Sequence, residues 1–533
     1  MVSKEERKWV FGFIVVILII TTVPYLIGFF NQNENWVFSG FVFGVEDGNS
    51  YIAKMLSGAN GNWLFRTPYT AEQQHGALAF LPYLLLGKLT SPPGQHEQLV
   101  FWFQFFRWVA VLLCGFALYD FVAIFLSEVK HRKLALGLSL LGGGLGFLFL
   151  FGVKWGGYEG LPLEFYSPET FGFLSILGLP HLATARALLF WGFVRFLRHS
   201  SGTSVRKTAL LIGGLWTLLG LMQPLTVVIG WIVLAVSLVL EILVSQKRYS
   251  EKSILQANPI REKASLVFWV ILLSSPIPMY SLIAFSTDPF LREWTNQNLI
   301  LSPPFLDYLL AFGLILPFAI GGGVSLARES SAKAALLLGW SMIFPILAYA
   351  PHNLQRRLPE GIWVVLCVLA VSSFEGQAKT RWLRFKPILF VGVLSTLLVF
   401  SGSLLAVLSP APPLFRPALE ISAFLNLSDS INGDVVLTNY DISNSLPAWV
   451  YGRTLIGHGP ESINLEIIQP EVENFLNGSL SEEQSIVLLR TYSVRYVMIG
   501  PDEKGFPPRE SSYLNQIFGN GSYKIYRVNL PEP

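Results

Sequence analysis

Two adjacent carboxylates, Glu46 and Asp47, stand in the stretch VFGVEDGNSYIAKMLSG (42–58), directly after the first long apolar run of the chain. A carboxylate can take a proton from an attacking hydroxyl or amine. Acids in this place also suit the start of a helix, where they accept from free N–H groups and meet the positive end of the dipole. Both readings apply, because SYIAKMLSG just downstream is a candidate helix. Three other polar segments lie between apolar runs. KWGGYEGLPLEFYSPET (154–170) carries Glu159, Glu164 and Glu169; STDPFLREWTNQNLILSPP (286–304) carries Asp288, Arg292, Glu293, Gln297 and Asn298. PHNLQRRLPEG (351–361) carries His352, Asn353, Gln355 and the pair Arg356 and Arg357. A guanidinium offers a planar fork that matches a phosphate bidentately. The plain alternatives are solvated loops and, for the arginines, attraction to anionic headgroups.

The elements that must position these residues are membrane helices. Of 533 residues, 52% are hydrophobic and 14% charged, more apolar surface than a soluble core of that length uses. Runs long enough to cross about 30 Å of hydrocarbon fall near 9–29, 99–127, 134–153, 181–197, 208–222, 225–245, 265–285, 306–327, 334–350, 360–374 and 387–408. The sequence therefore predicts an all-α polytopic membrane protein of about eleven spans, nearly free of charge inside them. The apolar stretch 76–89 is expected not to cross. With it kept outside, the basic clusters at 130–133, 195–207, 246–263, 328–333 and 379–386 share the side of the N-terminus, as the positive-inside rule requires. The N-terminus is then cytoplasmic, and the polar segments above, with everything after about 409, face outward at the cell membrane.

That tail differs in kind. Strand-like runs DVVLT (434–438), RTLIGH (453–458), RYVMIG (495–500) and YKIYRVN (523–529) alternate with helical stretches SNSLPAWVYG and SEEQSIVLLRTY. This predicts a small extracytoplasmic α/β domain at 409–533, joined through the Pro-rich spacer SPAPPLFRP (409–417) to a membrane domain at 1–408 whose first outer loop is 30–98. Cys114 and Cys367 lie in apolar runs, which excludes a disulfide framework. No phosphate-binding glycine loop follows a strand, GGGLG (142–146) lies in a span, and neither a nucleotide nor a nucleic acid is expected.

Carboxylates for a proton, arginines for a phosphate and aromatics for a sugar or isoprenoid together suit transfer of a sugar from a lipid phosphate. The arrangement resembles the GT-C superfamily of integral membrane glycosyltransferases, which includes the protein O-mannosyltransferases and aminoarabinose transferases. The likeness rests on the acidic pair in VEDGNSYIAKM after the first span, the apolar HGALAFLPYLLLGKL, which resembles a juxtamembrane helix, and Arg107 in FQFFRWVAVLL at the opening of the next span. REWTNQNLILSPP, LQRRLPEG and NSLPAWVYGRTLIGHGPES add likeness to prokaryotic members with a small outer C-terminal domain.

The resemblance implies a polyprenyl-phosphate sugar donor, inversion at the sugar carbon, and Asp47 as base with Glu46 or a second-loop glutamate as helper. Arg356, Arg357, Glu159, Glu164, Arg107, Gln297, Asn298 and His352 are the candidate substrate-binding residues. No metal-ligand set is assigned, although a divalent cation is compatible with the chemistry. The family often has Asp before Glu, whereas Glu46 precedes Asp47 here, so the resemblance leaves open which acid is the base. The acceptor, whether lipid, glycan or protein, does not transfer. A flippase or transporter, a polymerase or ligase of lipid-linked saccharides, and a non-catalytic scaffold are the rival readings.

Overall fold

The computed structural model describes residues 2–200, 202–246, 258–329, 331–375, 387–503 and 512–530. Residues 247–257 and 379–386 of the basic clusters lie outside them. Hydrocarbon offers a backbone no hydrogen-bond partner, so long apolar runs must close their bonds internally as helix. Lys4–Phe30, Gln95–Phe125, Val205–Met222, Pro224–Val244 and Pro387–Leu408 are long and apolar enough to cross a membrane. Two bent pairs, Ile260–Ser274 with Pro276–Thr287 and Phe305–Phe312 with Ile315–Arg328, bring the number among the described residues from five to seven if each is one span. The chain is a multi-pass, mainly helical membrane protein.

Three expected spans are not single helices. The run 134–153 is helical as Val129–Leu141, passes through Gly142–Gly144 and continues as a 3-10 segment, Gly146–Phe151. The glycines are needed there, because a Cβ on Gly144 would lie 2.0 Å from the carbonyl oxygen of Ala311. The run 306–327 turns by 81° after Phe312, at Gly313, whose φ of +48° favours glycine. The run 265–285 bends by 49° where Pro276 removes an N–H and crowds the preceding turn. The stretch 76–89 is helical over Leu81–Gly87 alone, seven residues or about 10 Å, too short to cross, in agreement with the expectation.

The chain forms two compact units. The first comprises Met1–Thr22, Phe106–Ile283 and Leu299–Gly402, and the second Val23–Phe105, Ala284–Asn298 and Ser403–Pro533. Composition changes at 408/409, but packing divides the chain elsewhere, because the first outer loop folds with the tail. Trp36–Phe38 pairs antiparallel with Phe415–Pro417, so the Pro-rich segment ends in a strand and is not a free spacer.

The tail builds one five-stranded sheet in the order Arg453–Thr454, Val435–Leu437, Val494–Ile499, Lys524–Val528, Leu514–Gly519, with the first three parallel and the last two antiparallel. Alternation along the strands splits the core between two faces. Val435, Leu437, Val497 and Ile499 pack with residues of helices Leu465–Leu476 and Glu482–Thr491. Val436, Tyr496, Met498 and Ile525 pack with residues of helices Ala418–Ser428 and Tyr440–Trp449. The expected α/β domain is therefore a three-layer sandwich.

Both cysteines are buried, so engineered thiols report on a quiet background. With the orientation proposed from charge bias, a cysteine at Tyr158 should react with an impermeant maleimide in intact cells, and one at Lys130 only after permeabilisation. The reverse pattern would overturn that orientation.

Candidate functional site

Helix Val45–Ala59 presents the acidic pair in its first turn. Its N-cap is Gly44 at φ +57°, which has no side chain to offer, and the two carboxylates lie inside the first turn, at the positive end of the helix dipole. The helix is held by close glycine contacts and one buried amide pair. A Cβ on Gly58 would lie 2.0 Å from the oxygen of Leu84, and one on Gly87 would lie 1.7 Å from that of Met55. On the opposite flank Asn49 donates to Asn444 Oδ1 at 2.7 Å, and Asn444 donates to the Gly457 carbonyl at 2.7 Å.

This packing sets Asp47 against the loop that follows strand Arg453–Thr454. Asp47 Oδ1 is 3.2 Å from His458 Nε2, with Asp47 half exposed and His458 buried. The other ring nitrogen, Nδ1, is 3.9 Å from Glu461 Oε1, beyond hydrogen-bond reach, and has no other partner. Glu461 is buried and well supplied: Lys54 Nζ donates to Oε1 at 2.6 Å, Ser50 Oγ to Oε1 at 2.7 Å and Thr67 Oγ1 to Oε2 at 2.7 Å. Lys54 has no exposed side-chain surface, donates to Ser50 Oγ as well, and lies 4.4 Å from the Phe80 ring centroid. Tyr69 stacks on His458 at 5.6 Å and donates to the Asn444 carbonyl. Gln297 fixes this loop from helix Pro289–Gln297, donating to the Ser462 carbonyl at 2.8 Å and accepting from the Asn464 N–H at 3.3 Å.

The charges alternate: Asp47, His458, Glu461, Lys54. Burial pulls His458 down, but the Asp47 hydrogen bond and the charges of Glu461 and Asp47 outweigh it and raise the imidazole above its usual value. Burial pushes Glu461 up, yet Lys54 and His458 hold it below the carboxylate range. Glu46 is raised, by partial burial first and by Asp47, against the pull of His458. Within the same unit a cavity of about 400 Å³ includes Thr67 in its wall, with Asn62, Arg66, Tyr451 and Arg453.

In the first unit the arginine pair lies on the turn Gln355–Arg357. Arg356 sits over the Tyr166 ring, Cζ 4.7 Å from its centroid, and its buried Nε has no hydrogen-bond partner. Arg357 Nε is 3.4 Å from Glu169 Oε1, an ion pair without hydrogen-bond geometry. Of the other candidates, Glu164 and Arg107 are bonded within the fold. Glu164 is buried and accepts from Gly144 N at 3.1 Å and Gly146 N at 2.6 Å; burial raises it to about 7 against those bonds. Arg107 is fully buried and donates to Thr21 and Thr22. His352 Nδ1 accepts from the Leu354 N–H at the surface, and Glu159 is exposed at φ +50°. Asn298, in the second unit, ends helix Pro289–Gln297 through its own N–H.

In the sequence His458 and Glu461 lie inside GHGPES with nothing local to mark them, whereas Lys54 carries a signal, its place on an apolar helix face four residues after Ser50. The expectation of nearly charge-free spans missed Arg186, buried and bonded to Glu360 at 2.8 Å and to the carbonyls of Pro168, Glu169 and Phe171. For a cation, Glu128, His131 and Glu375 are the described group with ligand atoms within 4.8 Å. Glu375 there already accepts from Ser127 and Glu128 N–H groups beside helix Val129–Leu141, which fits a helix cap.

The fold has solved counterparts. The archaeal oligosaccharyltransferase AglB from Archaeoglobus fulgidus, solved with an inhibitory peptide and a dolichol-phosphate, matches 99% of this chain and 75% of its own at a TM-score of 0.55 and 11% identity. ArnT from Cupriavidus metallidurans in the apo state matches 98% of both chains at 0.51 and 13%. The chain has the GT-C fold. The mycobacterial arabinofuranosyltransferase AftD shares it at a TM-score of 0.56 and 15% identity, although this chain spans only 40% of AftD. No family model matches the chain, and no curated protein does. At such identities the likeness is one of fold.

Removing one member of a buried ion pair strands the other charge. Glu461→Gln should destabilise the second unit by about 3–5 kcal/mol. Lys54→Met with Glu461→Leu together should recover most of that loss, read from thermal unfolding of the purified protein.

Proposed function

We propose that the protein is a membrane glycosyltransferase that moves a sugar from a polyprenyl-phosphate donor to an acceptor at the outer face, with Asp47 as general base. The observation that carries this is an exposed carboxylate whose one oxygen is held by a buried histidine, on a fold that AglB, AftD and ArnT share. The acceptor oxygen forms a bond to the anomeric carbon, the bond from that carbon to the phosphate oxygen breaks with its electron pair leaving on the phosphate, and the acceptor's proton passes to Asp47. One displacement inverts the sugar carbon. The 400 Å³ cavity in the same unit, walled by amide, hydroxyl and guanidinium groups, has the size and polarity for part of a saccharide acceptor.

In the first unit, Arg356 is the candidate for the donor phosphate. A guanidinium stacked on Tyr166 with an unpaired buried Nε is held in place yet still has donors to give. No step is assigned to a metal.

Asp47→Asn keeps the shape and cannot take the proton, so turnover should fall by about 10² to 10⁴ in a protein that still folds. Glu46→Gln is the control; if it alone abolishes turnover, the base is Glu46. In Arg356→Lys the charge remains but the fork is lost. The KM for donor should then rise roughly tenfold or more, as for one charged hydrogen bond, and an unchanged KM would return Arg356 to a packing role.

A further inference from the structure

Asp47 reaches the surface on one side and a buried histidine on the other. His458 lies between two carboxylates, Nε2 at 3.2 Å from Asp47 Oδ1 and Nδ1 at 3.9 Å from Glu461 Oε1. A neutral ring would turn a lone pair toward one of them; the imidazolium turns an N–H toward both. We infer that His458 is a positioning residue, a cationic clamp from the C-terminal part of the chain that fixes the Asp47 carboxylate in one orientation and holds it as the anion the reaction needs. The inference rests on the reading of Asp47 as the base.

The clamp is itself anchored. The His458 backbone N–H donates to Ser462 Oγ at 3.2 Å, Tyr69 covers one ring face, and Gln297 ties down the loop at Ser462 and Asn464. The charged and titratable groups around the ring are Asp47, Glu46 and Lys54 on helix Val45–Ala59, Glu461 on its own loop, and Tyr69 stacked against it. Lys54 alone among them opposes the imidazolium, and its 2.6 Å pair with Glu461 limits that opposition. The direction follows by linkage. A histidine raised on folding lends stability that is fully present below its unfolded value and lost as pH rises through its folded value.

The test is the pH profile of sugar transfer from a radiolabelled polyprenyl-phosphate sugar to acceptor in an added membrane extract, by the protein in nanodiscs. In wild type, turnover should fall on the alkaline side as His458 loses its proton. His458→Gln should abolish that fall and move the acid limb up by about one unit or more, because an opposite charge no longer favours the Asp47 anion. His458→Lys, which keeps a cation, should leave the acid limb in place while also removing the alkaline fall. A wild-type profile flat from neutral to alkaline pH, or limbs unmoved in both variants whatever the change in kcat, would overturn the inference. The melting temperature separates this from the fate of the base. If Asp47→Asn stays active, the Asp47 reading fails. The clamp still stands if the alkaline loss of melting temperature seen in wild type shrinks in both His458→Gln and Asp47→Asn, and it falls if neither variant changes that loss.

Discussion

The second unit is organised around a lysine and a glutamate in direct contact, with almost no surface exposed to water. Lys54 and Glu461 lie 407 residues apart in sequence and 2.6 Å apart in space, both buried. Such a pair adds little net stability over apolar residues, but it tolerates few alternatives once made, because either charge alone is very costly. It joins the helix after the first span to the loop beyond strand Arg453–Thr454. Ser50 and Thr67 complete the carboxylate's bonds, so Glu461 has one place to be. His458 follows from that placement, three residues earlier on the same loop, and Asp47 meets its far nitrogen. The exposed acid is thus the last member of a chain of charges whose first member is wholly inside.

The first unit uses charge in the same way. Arg186 is buried against Glu360 and three carbonyl oxygens, which sets the loop carrying Glu169, and Glu169 in turn lies 3.4 Å from Arg357. Arg356, the next residue back, keeps a stacked guanidinium with an unpaired Nε. Glu164 closes on the Gly144 and Gly146 amides and holds the glycine turn after helix Val129–Leu141. Polar side chains deep in this unit shape its loops, and the two guanidinium groups of the turn Gln355–Arg357 keep donors to spare.

Much of this was legible from composition and periodicity, and the limits have physical causes. Apolar runs announce membrane helices because hydrocarbon permits little else, and the alternating runs of the tail announced four strands of the sheet. Leu514–Gly519 escaped notice because it is an edge strand with mostly exposed side chains, and Leu465–Leu476 because Pro470 interrupts its helical pattern. Glycine and proline breaks at 142–144, 276 and 313 were visible as letters, yet hydropathy alone does not weigh them. The acidic pair stood out by position. Its partner His458 did not, since a contact between residues 47 and 458 is a property of the fold. Arg107, Glu164 and Gln297 show the same limit: the hydrogen bonds that tie them to distant parts of the chain are properties of the fold and leave no mark in the local sequence.

In the proposed reaction the sugar leaves its lipid carrier. The direct measurement is the fate of label when the purified protein, reconstituted in liposomes, is given polyprenyl-phosphate carrying a radiolabelled sugar together with a membrane extract as the source of acceptor. Transfer chemistry requires label to leave the lipid phosphate and appear on acceptor, at a rate that depends on Asp47. Label that stays on the carrier and merely changes leaflet would make the protein a flippase and rule out the glycosyltransferase.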